Sequence, residues 1–228
     1  MMRGSTFQTD AMKSVRFVDG ELIPVGKILC LGRNYPEHAK EMNAEVPSAP
    51  VVFMKPSTAI VEEGGSVMIP PISTDVHHEV ELVIVIGPGG RNISAARAME
   101  HVAGYAVGLD MTLRDVQADA KRKGLPWTVA KGFDTSAPLS GAVRRAAVGD
   151  PHALTLELRV NGTLRQRAST SSMLVRVPEI VAYCSTIFTL ETGDLIFTGT
   201  PEGVGRVVHG DRLEALIAGV GSLTVGVV

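Results

Sequence analysis

This chain has few aromatic residues and cysteines and no long basic or apolar run. Its net charge is −2, and its longest basic run is Lys121-Arg122-Lys123, so it lacks the basic surface that nucleic acids or anionic membranes require. No apolar stretch approaches the ~20 residues of a membrane-spanning helix, and residues 1–20 do not resemble a signal peptide. We therefore expect a cytoplasmic globular protein whose partner is a small molecule, not a nucleic acid or a membrane.

The two cysteines, Cys30 and Cys184, lie in apolar surroundings and form no CxxC motif. This pattern indicates neither a disulfide framework nor a cysteine-based zinc site, so we predict two buried thiols. Aromatic residues make up 4% of the chain, whereas glycine occurs 24 times. That balance favours aliphatic strands joined by tight turns.

Short apolar runs bounded by Gly, Pro and Asn recur along the chain, and Glu79–Ile86 is the strongest predicted strand. Thr112 and Asp115 have the spacing of a capping box and predict a helix that continues to about residue 123. Because strands and helices do not alternate steadily, the sequence predicts a β-rich α+β fold. We divide it into an N-terminal segment, residues 1–26, and a single catalytic domain, residues 27–228.

Two glutamates in the strongest predicted strand are the clearest sign of chemistry. Glu79 and Glu81 are two residues apart, so they project from the same face of a strand. At ~4 Å, two carboxylates repel by roughly 4 kcal/mol at an effective dielectric near 20, so a proton, a cation or a metal ion must neutralise them. Asp110 ends the next predicted strand. If the two strands are neighbours, three carboxylates converge into an oxygen site suited to Mg²⁺ or Mn²⁺.

Two other interpretations of these carboxylates stay open. On an edge strand, Glu79 and Glu81 would simply face solvent. His77 has the same parity and as a ligand would favour Zn²⁺; we expect it to be a hydrogen-bonding neighbour instead. A zinc hydrolase is a further alternative, and it would need His77 or His78 as a ligand.

Further polar residues have spacings suited to substrate binding or proton transfer. Arg114 and Gln117 are three residues apart on a predicted helix and can hold a carboxylate or an enolate oxygen. His38 and Glu41 have the same spacing and can act as a base and its orienting group. Lys131 is a lone cation after an apolar stretch.

The chain resembles the fumarylacetoacetate hydrolase family, and specifically its short, single-domain acylpyruvate hydrolase and oxaloacetate decarboxylase branch. The matching motifs run in order from about residue 27 to the C-terminus: Gly32-Arg33-Asn34-Tyr35 with His38 and Glu41, Phe53-Met54-Lys55-Pro56, His78-Glu79-Val80-Glu81, Asp110 through Arg114-Asp115 and Gln117, Gly124-Leu125-Pro126-Trp127, Lys131-Gly132-Phe133-Asp134, Thr170-Ser171-Ser172-Met173, Gly193-Asp194, Thr198-Gly199-Thr200-Pro201 and Gly203-Val204-Gly205.

The resemblance implies a mixed β-sandwich roll of the type found in the C-terminal domain of that family, and a homodimer. It implies that Glu79, Glu81 and Asp110 bind Mg²⁺ or Mn²⁺. Larger family members add a fourth acidic ligand before the catalytic histidine. This chain has Gly32-Arg33-Asn34-Tyr35 there, so we expect water at that position.

The resemblance also implies roles for the polar residues. His38 and Glu41 would lie on a mobile lid and form a water-activating dyad. The residues implied to contact a 2-oxo acid are Arg114, Gln117, Lys131 and Thr200. Of these, Lys131 would also act in catalysis by stabilising the enolate oxygen together with Gln117.

The implied reaction is hydrolysis of the C–C bond of acylpyruvates, such as acetylpyruvate or fumarylpyruvate, through a metal-bound pyruvate enolate. The same site suits three alternatives: oxaloacetate decarboxylation, keto–enol tautomerisation of oxaloacetate, and the isomerase/decarboxylase reactions of aromatic-acid catabolism. The presence of both His38 and Glu41 favours hydrolysis, because a simple decarboxylase does not require that dyad. A non-catalytic scaffold is a further alternative, but intact carboxylates argue against it.

Overall fold

Most strands belong to two sheets that pack against each other in this computed structural model, which describes residues 12–42, 45 and 47–228. The larger sheet has eight strands, in the order β4 (Val51–Lys55), β3 (Ile28–Gly32), β15 (Leu195–Phe197), β8 (Val80–Ile86), β9 (Val102–Leu109), β11 (Ala137–Leu139) and β5 (Ile60–Glu62), with β12 (Val143–Arg144) also paired to β9. The smaller sheet has the order β14 (Thr163–Ser169), β13 (Thr155–Val160), β17 (Arg212–Ile217), β18 (Gly221–Val227) and β6 (Ser66–Val67).

Shorter elements complete the fold. A three-stranded sheet has the order β10 (Thr112–Leu113), β7 (Val76–His78) and β16 (Gly205–Val207). A two-stranded sheet pairs β1 (Ser14–Arg16) with β2 (Leu22–Pro24). The α-helices are α1 (Pro36–Glu41), α2 (Arg114–Lys123), α3 (Thr128–Lys131) and α4 (Val177–Ile187). Single-turn or irregular 3₁₀ segments cover Ser57–Ala59, Ala95–His101, Arg145–Ala147 and Thr170–Ser172.

Strand β8 lies in the interior of the larger sheet, and all seven of its residues are buried. Its side chains alternate between two hydrophobic clusters, as the two-residue period of a strand requires. Leu82 and Ile84 belong to the cluster between the two large sheets, whereas Val83 and Val85 belong to the cluster on the opposite face. A continuous β-branched and aliphatic run is therefore the sequence expected for a strand covered on both faces.

The N-terminal segment helps to cover that second face. Val15, Phe17 and Ile23 are buried in the cluster that contains Val83 and Val85. Residues 1–11, which were included in the predicted segment, lie outside the described part of the chain.

The β-rich α+β prediction is confirmed, but the predicted capping box is wrong. Thr112 lies in β10, where it pairs with His77 of β7, so its backbone is extended. Its hydroxyl donates to the carbonyl of Asp110 at 3.1 Å. The Asp115 carboxylate instead accepts from Ser73 Oγ at 2.6 Å. Helix α2 therefore begins at Arg114 without a side-chain cap.

The two cysteines are free and buried, as predicted. Among the described helices, none combines the length and the apolar composition needed to cross a bilayer.

A buried aspartate anchors the turn before β15. Asp194 is fully buried and accepts hydrogen bonds from the backbone N–H groups of Lys27 at 3.1 Å and Glu191 at 2.7 Å. The Lys27 ammonium lies 2.6 Å from Asp194 Oδ2, and it also pairs with the exposed carboxylate of Glu191 at 3.1 Å. One carboxylate thus holds together strands β3 and β15, which border the centre of the larger sheet.

We expect Asp194→Ala to lower the free energy of unfolding by about 2–4 kcal/mol, because it leaves two backbone donors without an acceptor. Glu191→Ala is the matched control, since its exposed ion pair with the same lysine contributes only about 0–1 kcal/mol. Urea unfolding of both variants measures the difference. Equal losses would contradict the anchoring role of Asp194.

Candidate active site

Adjacent antiparallel strands bring the three predicted carboxylates together. Glu79 precedes β8, Glu81 lies within it, and Asp110 follows β9. The Asp110 N–H donates to the Glu79 carbonyl at 2.9 Å, which continues the ladder between the two strands. One oxygen of each carboxylate lies within 4.8 Å of the other two. All three side chains are at most 5% exposed, so the solvent-facing interpretation of Glu79 and Glu81 is wrong.

Cations partly neutralise this cluster. The Lys131 ammonium lies 2.7 Å from both Glu79 Oε2 and Asp110 Oδ2. Arg114 donates to Glu79 Oε1 through one terminal nitrogen and to Gln117 Oε1 through the other, at 2.8 Å. The structure therefore brings these residues together at one site. Their roles in substrate binding stay predictions.

Lys55 is a site residue to which the sequence analysis assigned no role. It closes β4, is fully buried, and places its ammonium 2.7 Å from Asp110 Oδ1. Its hydrogen bonds go to the carbonyl groups of Met111, at 3.2 Å, and Lys131. Its position at the end of an apolar strand is a sequence feature that could have identified it, because a buried lysine requires an anionic partner.

The charges in the cluster have different environments. Burial raises the pKa of Glu81 well above its ordinary value, and the negative charges of Asp110 and Glu79 raise it further. Burial also opposes ionisation of Glu79, but Lys131 and Arg114 outweigh it and lower the pKa of that carboxyl. Burial alone would lower the pKa of Lys131, yet Asp110 and Glu79 raise it overall, so Lys131 is a cation and not a base.

The donor set fits a hard divalent cation. All three groups offer oxygen, as Mg²⁺ and Mn²⁺ prefer. Asp110 Oδ1 accepts no well-directed hydrogen bond although Lys55 is close, and the hydrogen bond that Glu81 accepts within the described part of the chain comes from the Gly199 N–H. His77 pairs with Asp75 at 3.0 Å and is not part of the described three-carboxylate group, so the structure does not support a histidine-containing zinc site.

Two glycines of one loop hold the acidic groups of the site. Gly199 donates its N–H to Glu81 Oε2 at 2.6 Å, and Gly203 donates its N–H to Glu41 Oε1 at 3.0 Å. Their φ angles are +96° and +91°, in the left-handed region that favours glycine. The loop that follows β15 therefore orients both a candidate metal ligand and one member of the predicted dyad.

The predicted dyad lies beside the carboxylates. Helix α1 begins at Pro36 and places His38 Nδ1 3.1 Å from Glu41 Oε2. His38 is 7% exposed and lines the same pocket as the carboxylates. That His38 and Glu41 lie on a mobile lid stays a prediction.

The pocket has a volume of about 430 Å³ including its solvent-filled mouth. It is lined by the three carboxylates and by Arg33, His38, Phe53, Arg114, Gln117, Lys121, Trp127, Lys131 and Thr200, with a few apolar neighbours. Arg114 and Gln117 reach it from one face of α2, which agrees with their three-residue spacing.

Thr200 lines the pocket, but its hydroxyl is already engaged. It donates to the carbonyl of Val80 at 2.9 Å and accepts from Gln166 Nε2 at 2.9 Å. Gln166 was not identified from the sequence. Its amide oxygen accepts from Val80 N–H at 3.1 Å, so this buried residue joins β8 to the loop that contains Thr200. The predicted substrate contact of Thr200 stays a prediction.

Gly203→Ala should disturb both stability and the dyad. A methyl group there would lie 2.3 Å from the Arg165 carbonyl, and the backbone has a φ of +91°. Gly210→Ala is a matched control, because Gly210 has a φ of +93° and nothing lies within 4 Å of a methyl group added to it. We expect a loss of about 1 kcal/mol in the control and about 2–4 kcal/mol in Gly203→Ala. Thermal unfolding measures both; equal losses would contradict the close contact.

The fold and the site define a class: a β-roll protein whose central strands carry a buried cluster of three carboxylates that could bind a metal ion. The family model described as the fumarylacetoacetate (FAA) hydrolase C-terminal region matches residues 27–228. This chain belongs to the fumarylacetoacetate hydrolase family, as the sequence motifs predicted. Its general activity is that of a family enzyme, a hydrolase or an isomerase.

Several relatives are similar over most of their length. The mitochondrial oxaloacetate tautomerase FAHD1 of Mus musculus is 54% identical over 86% of this chain and 89% of its own. The Arabidopsis thaliana protein of the same name is 50% identical over 85% of this chain and 87% of its own. The structure of fumarylpyruvate hydrolase from Pseudomonas aeruginosa, in complex with Mn²⁺ and pyruvate, has a TM-score of 0.93 and 41% identity and covers 99% of both chains.

Proposed function

We propose that this protein interconverts the keto and enol forms of oxaloacetate at the site formed by Glu79, Glu81 and Asp110, loaded with Mg²⁺ or Mn²⁺. The observation that carries the chemistry is the convergence of these carboxylates with Lys131 and His38 in one pocket, with Glu41 hydrogen-bonded to His38. The 54% identity to an oxaloacetate tautomerase, against 41% to a fumarylpyruvate hydrolase, supports the choice of reaction.

When bound, a divalent cation supplies Lewis acidity to the oxygens of a 2-oxo acid. The Mn²⁺ in the Pseudomonas aeruginosa structure supports this choice of ion class. The residues that would hold it are Glu79, Glu81 and Asp110, and water would take the position of a fourth acidic ligand.

The chain's own groups account for the proton transfers. Glu41 accepts from His38 Nδ1, which leaves Nε2 of the neutral ring to remove a proton from C3 of the substrate. The C–H electron pair then forms the C2–C3 double bond, the C2 oxygen takes up a proton from solvent, and His38 releases the C3 proton to solvent. Lys131 is held as a cation and stabilises negative charge on that oxygen. Arg114 and Gln117 would bind the adjacent carboxylate.

Acylpyruvate hydrolysis is the second candidate, and the intact His38–Glu41 pair favours it. In that reaction the same Nε2 would activate a water molecule for attack on the distal carbonyl. The enolate released by C–C cleavage would occupy the place of the oxaloacetate enolate. Lys131 and Gln117 would stabilise its oxygen in both cases.

The test follows the enol absorbance of oxaloacetate and of acetylpyruvate with purified protein and Mg²⁺, with EDTA and protein-free Mg²⁺ as controls. EDTA-sensitive tautomerisation of oxaloacetate without matching pyruvate release supports the first candidate. EDTA-sensitive loss of acetylpyruvate with one pyruvate per substrate, and no effect on oxaloacetate, would favour the second. Full activity in EDTA would contradict the metal site.

We also propose that the protein is a homodimer. An apolar groove beside the edge strand β4 supports this, since the exposed side chains of Met54 and Leu125 line it. Sedimentation equilibrium measures the assembly; a monomer at micromolar concentration would contradict it.

A further inference from the structure

Arg33 has an unusual backbone conformation at the pocket. Its φ is +60°, which is uncommon for a residue other than glycine and recurs at functional sites. The neighbouring Asn34 holds the loop in place: its amide oxygen accepts from Val175 N–H at 2.7 Å, and its nitrogen donates to the carbonyls of Val175 and Thr198. The loop is thereby locked in a form that directs the Arg33 side chain to the pocket lining.

Lys121 reaches the same pocket from α2. It follows Arg114 and Gln117 by seven and four residues, so the three share one helix face. Its ammonium lies 5.3 Å from the centre of the Trp127 ring, a cation–π contact that holds it against the pocket wall. The neighbouring Lys123, by contrast, turns outward and pairs with Asp119 at 2.8 Å.

The two cations have no acidic partner among the described residues. No carboxylate of residues 12–42, 45 or 47–228 forms an ion pair with Arg33 or Lys121, although Lys131 and Arg114 deeper in the pocket are paired. Burial lowers the pKa of Lys121, and the charges of Arg114 and Arg33 lower it further. The outer pocket therefore concentrates positive charge that the protein itself does not neutralise.

We propose that Arg33 and Lys121 form a subsite for a second carboxylate, at the end of the substrate remote from its 2-oxo acid group. This inference rests on the proposed function and makes 2-oxo dicarboxylic acids the preferred substrates over 2-oxo monocarboxylic acids. The three buried carboxylates and Lys131 serve the 2-oxo acid end. An arginine and a lysine beside an aromatic wall provide the charge-assisted hydrogen bonds that a terminal carboxylate requires.

A purely structural role for Lys121 would be to stabilise the C-terminal end of α2 through the helix dipole. Lys123 lies nearer that end and serves the same purpose, so it is the matched control. Both roles predict a small loss of stability for Lys121→Met, but only the subsite predicts a loss that depends on the second carboxylate of a ligand.

The test compares two ligands of equal length in the Mg²⁺-loaded protein. 2-Oxoglutarate and 2-oxovalerate differ only in carrying a carboxylate or a methyl group at the remote end. Calorimetry of the wild type should give about tenfold tighter binding of 2-oxoglutarate. Arg33→Met and Lys121→Met should each remove most of this preference while leaving 2-oxovalerate affinity within about twofold. Lys123→Met should retain the preference.

The outcomes separate the subsite from the proposed function. Equal affinity of the wild type for both ligands, or equal weakening of both by Arg33→Met and Lys121→Met, would overturn the subsite alone. Failure of both ligands to bind would overturn the proposed function together with it. Arg33→Lys, which keeps the charge, should restore part of the preference; no recovery would indicate a role in the loop backbone and count against the subsite.

Discussion

Glu81→Gln is expected to abolish Mg²⁺ or Mn²⁺ binding at micromolar concentrations and to lower turnover by at least about 10³-fold, through loss of a candidate ligand at the centre of the cluster. The amide keeps an oxygen that can accept from Gly199, so the fold should be retained. Calorimetry with the metal alone measures binding without reference to activity. Wild-type affinity in this variant would refute the carboxylate site.

The pH dependence of stability, measured on the metal-free wild type and on Glu81→Gln, adds an independent readout. The pKa of Glu81 is raised by burial and by Asp110 and Glu79, so the folded protein binds a proton there that the unfolded chain releases near pH 4.5. Metal-free stability should therefore fall as the pH rises from about 4.5 towards the raised value, and Glu81→Gln should flatten this decline. Glu191→Gln, on the surface, is the control and should leave both metal affinity and the pH profile unchanged.

His38→Ala is expected to reduce tautomerisation of oxaloacetate and hydrolysis of acylpyruvates by about 10²–10⁴-fold, because both reactions require a base at that position. Metal-dependent loss of CO₂ from oxaloacetate needs neither removal of a C3 proton nor an attacking water, and the enolate carbon that it leaves can take its proton from solvent. It should stay within about threefold of the wild-type rate, since the metal site is unchanged. Rates of the three reactions are measured on the same preparation.

Lys40→Ala is the matched control for that experiment. It lies on the same short helix, is exposed, and pairs only loosely with Glu37 at 3.7 Å. We expect rates close to wild type for all three reactions. If His38→Ala impaired decarboxylation as much as tautomerisation, His38 would be acting on the metal site or the fold, and its role as a base would be wrong.

Much of the site could be predicted because strand geometry is local. The two-residue spacing of Glu79 and Glu81 places them on one face, and an apolar strand leaves few ways to accommodate two charges. Arg114 and Gln117 likewise share a helix face through their spacing. The motif resemblance placed His38 and Lys131 beside them, and the structure brings these groups into one pocket.

Residues that act through long-range contacts could not be predicted in the same way. Gln166 joins β8 to the loop of Thr200, which lies 34 residues further along the chain. Its neighbours in sequence form a polar β-hairpin, so nothing in the local sequence marks it as buried. The capping-box prediction failed for a related reason: pairing with β7 holds Thr112 in a strand, which outweighs its local preference for a helix cap.

The sequence by itself determined the β-rich fold class, the family and the chemical types gathered at the site, because hydrophobic period and motif order are encoded locally. Only the tertiary structure decided that Lys55 reaches Asp110, that backbone N–H groups of Gly199 and Gly203 hold Glu81 and Glu41, and that Arg33 and Lys121 share a pocket. The physical reason is that burial and charge pairing depend on which strands become neighbours, and neighbouring strands here come from distant parts of the chain.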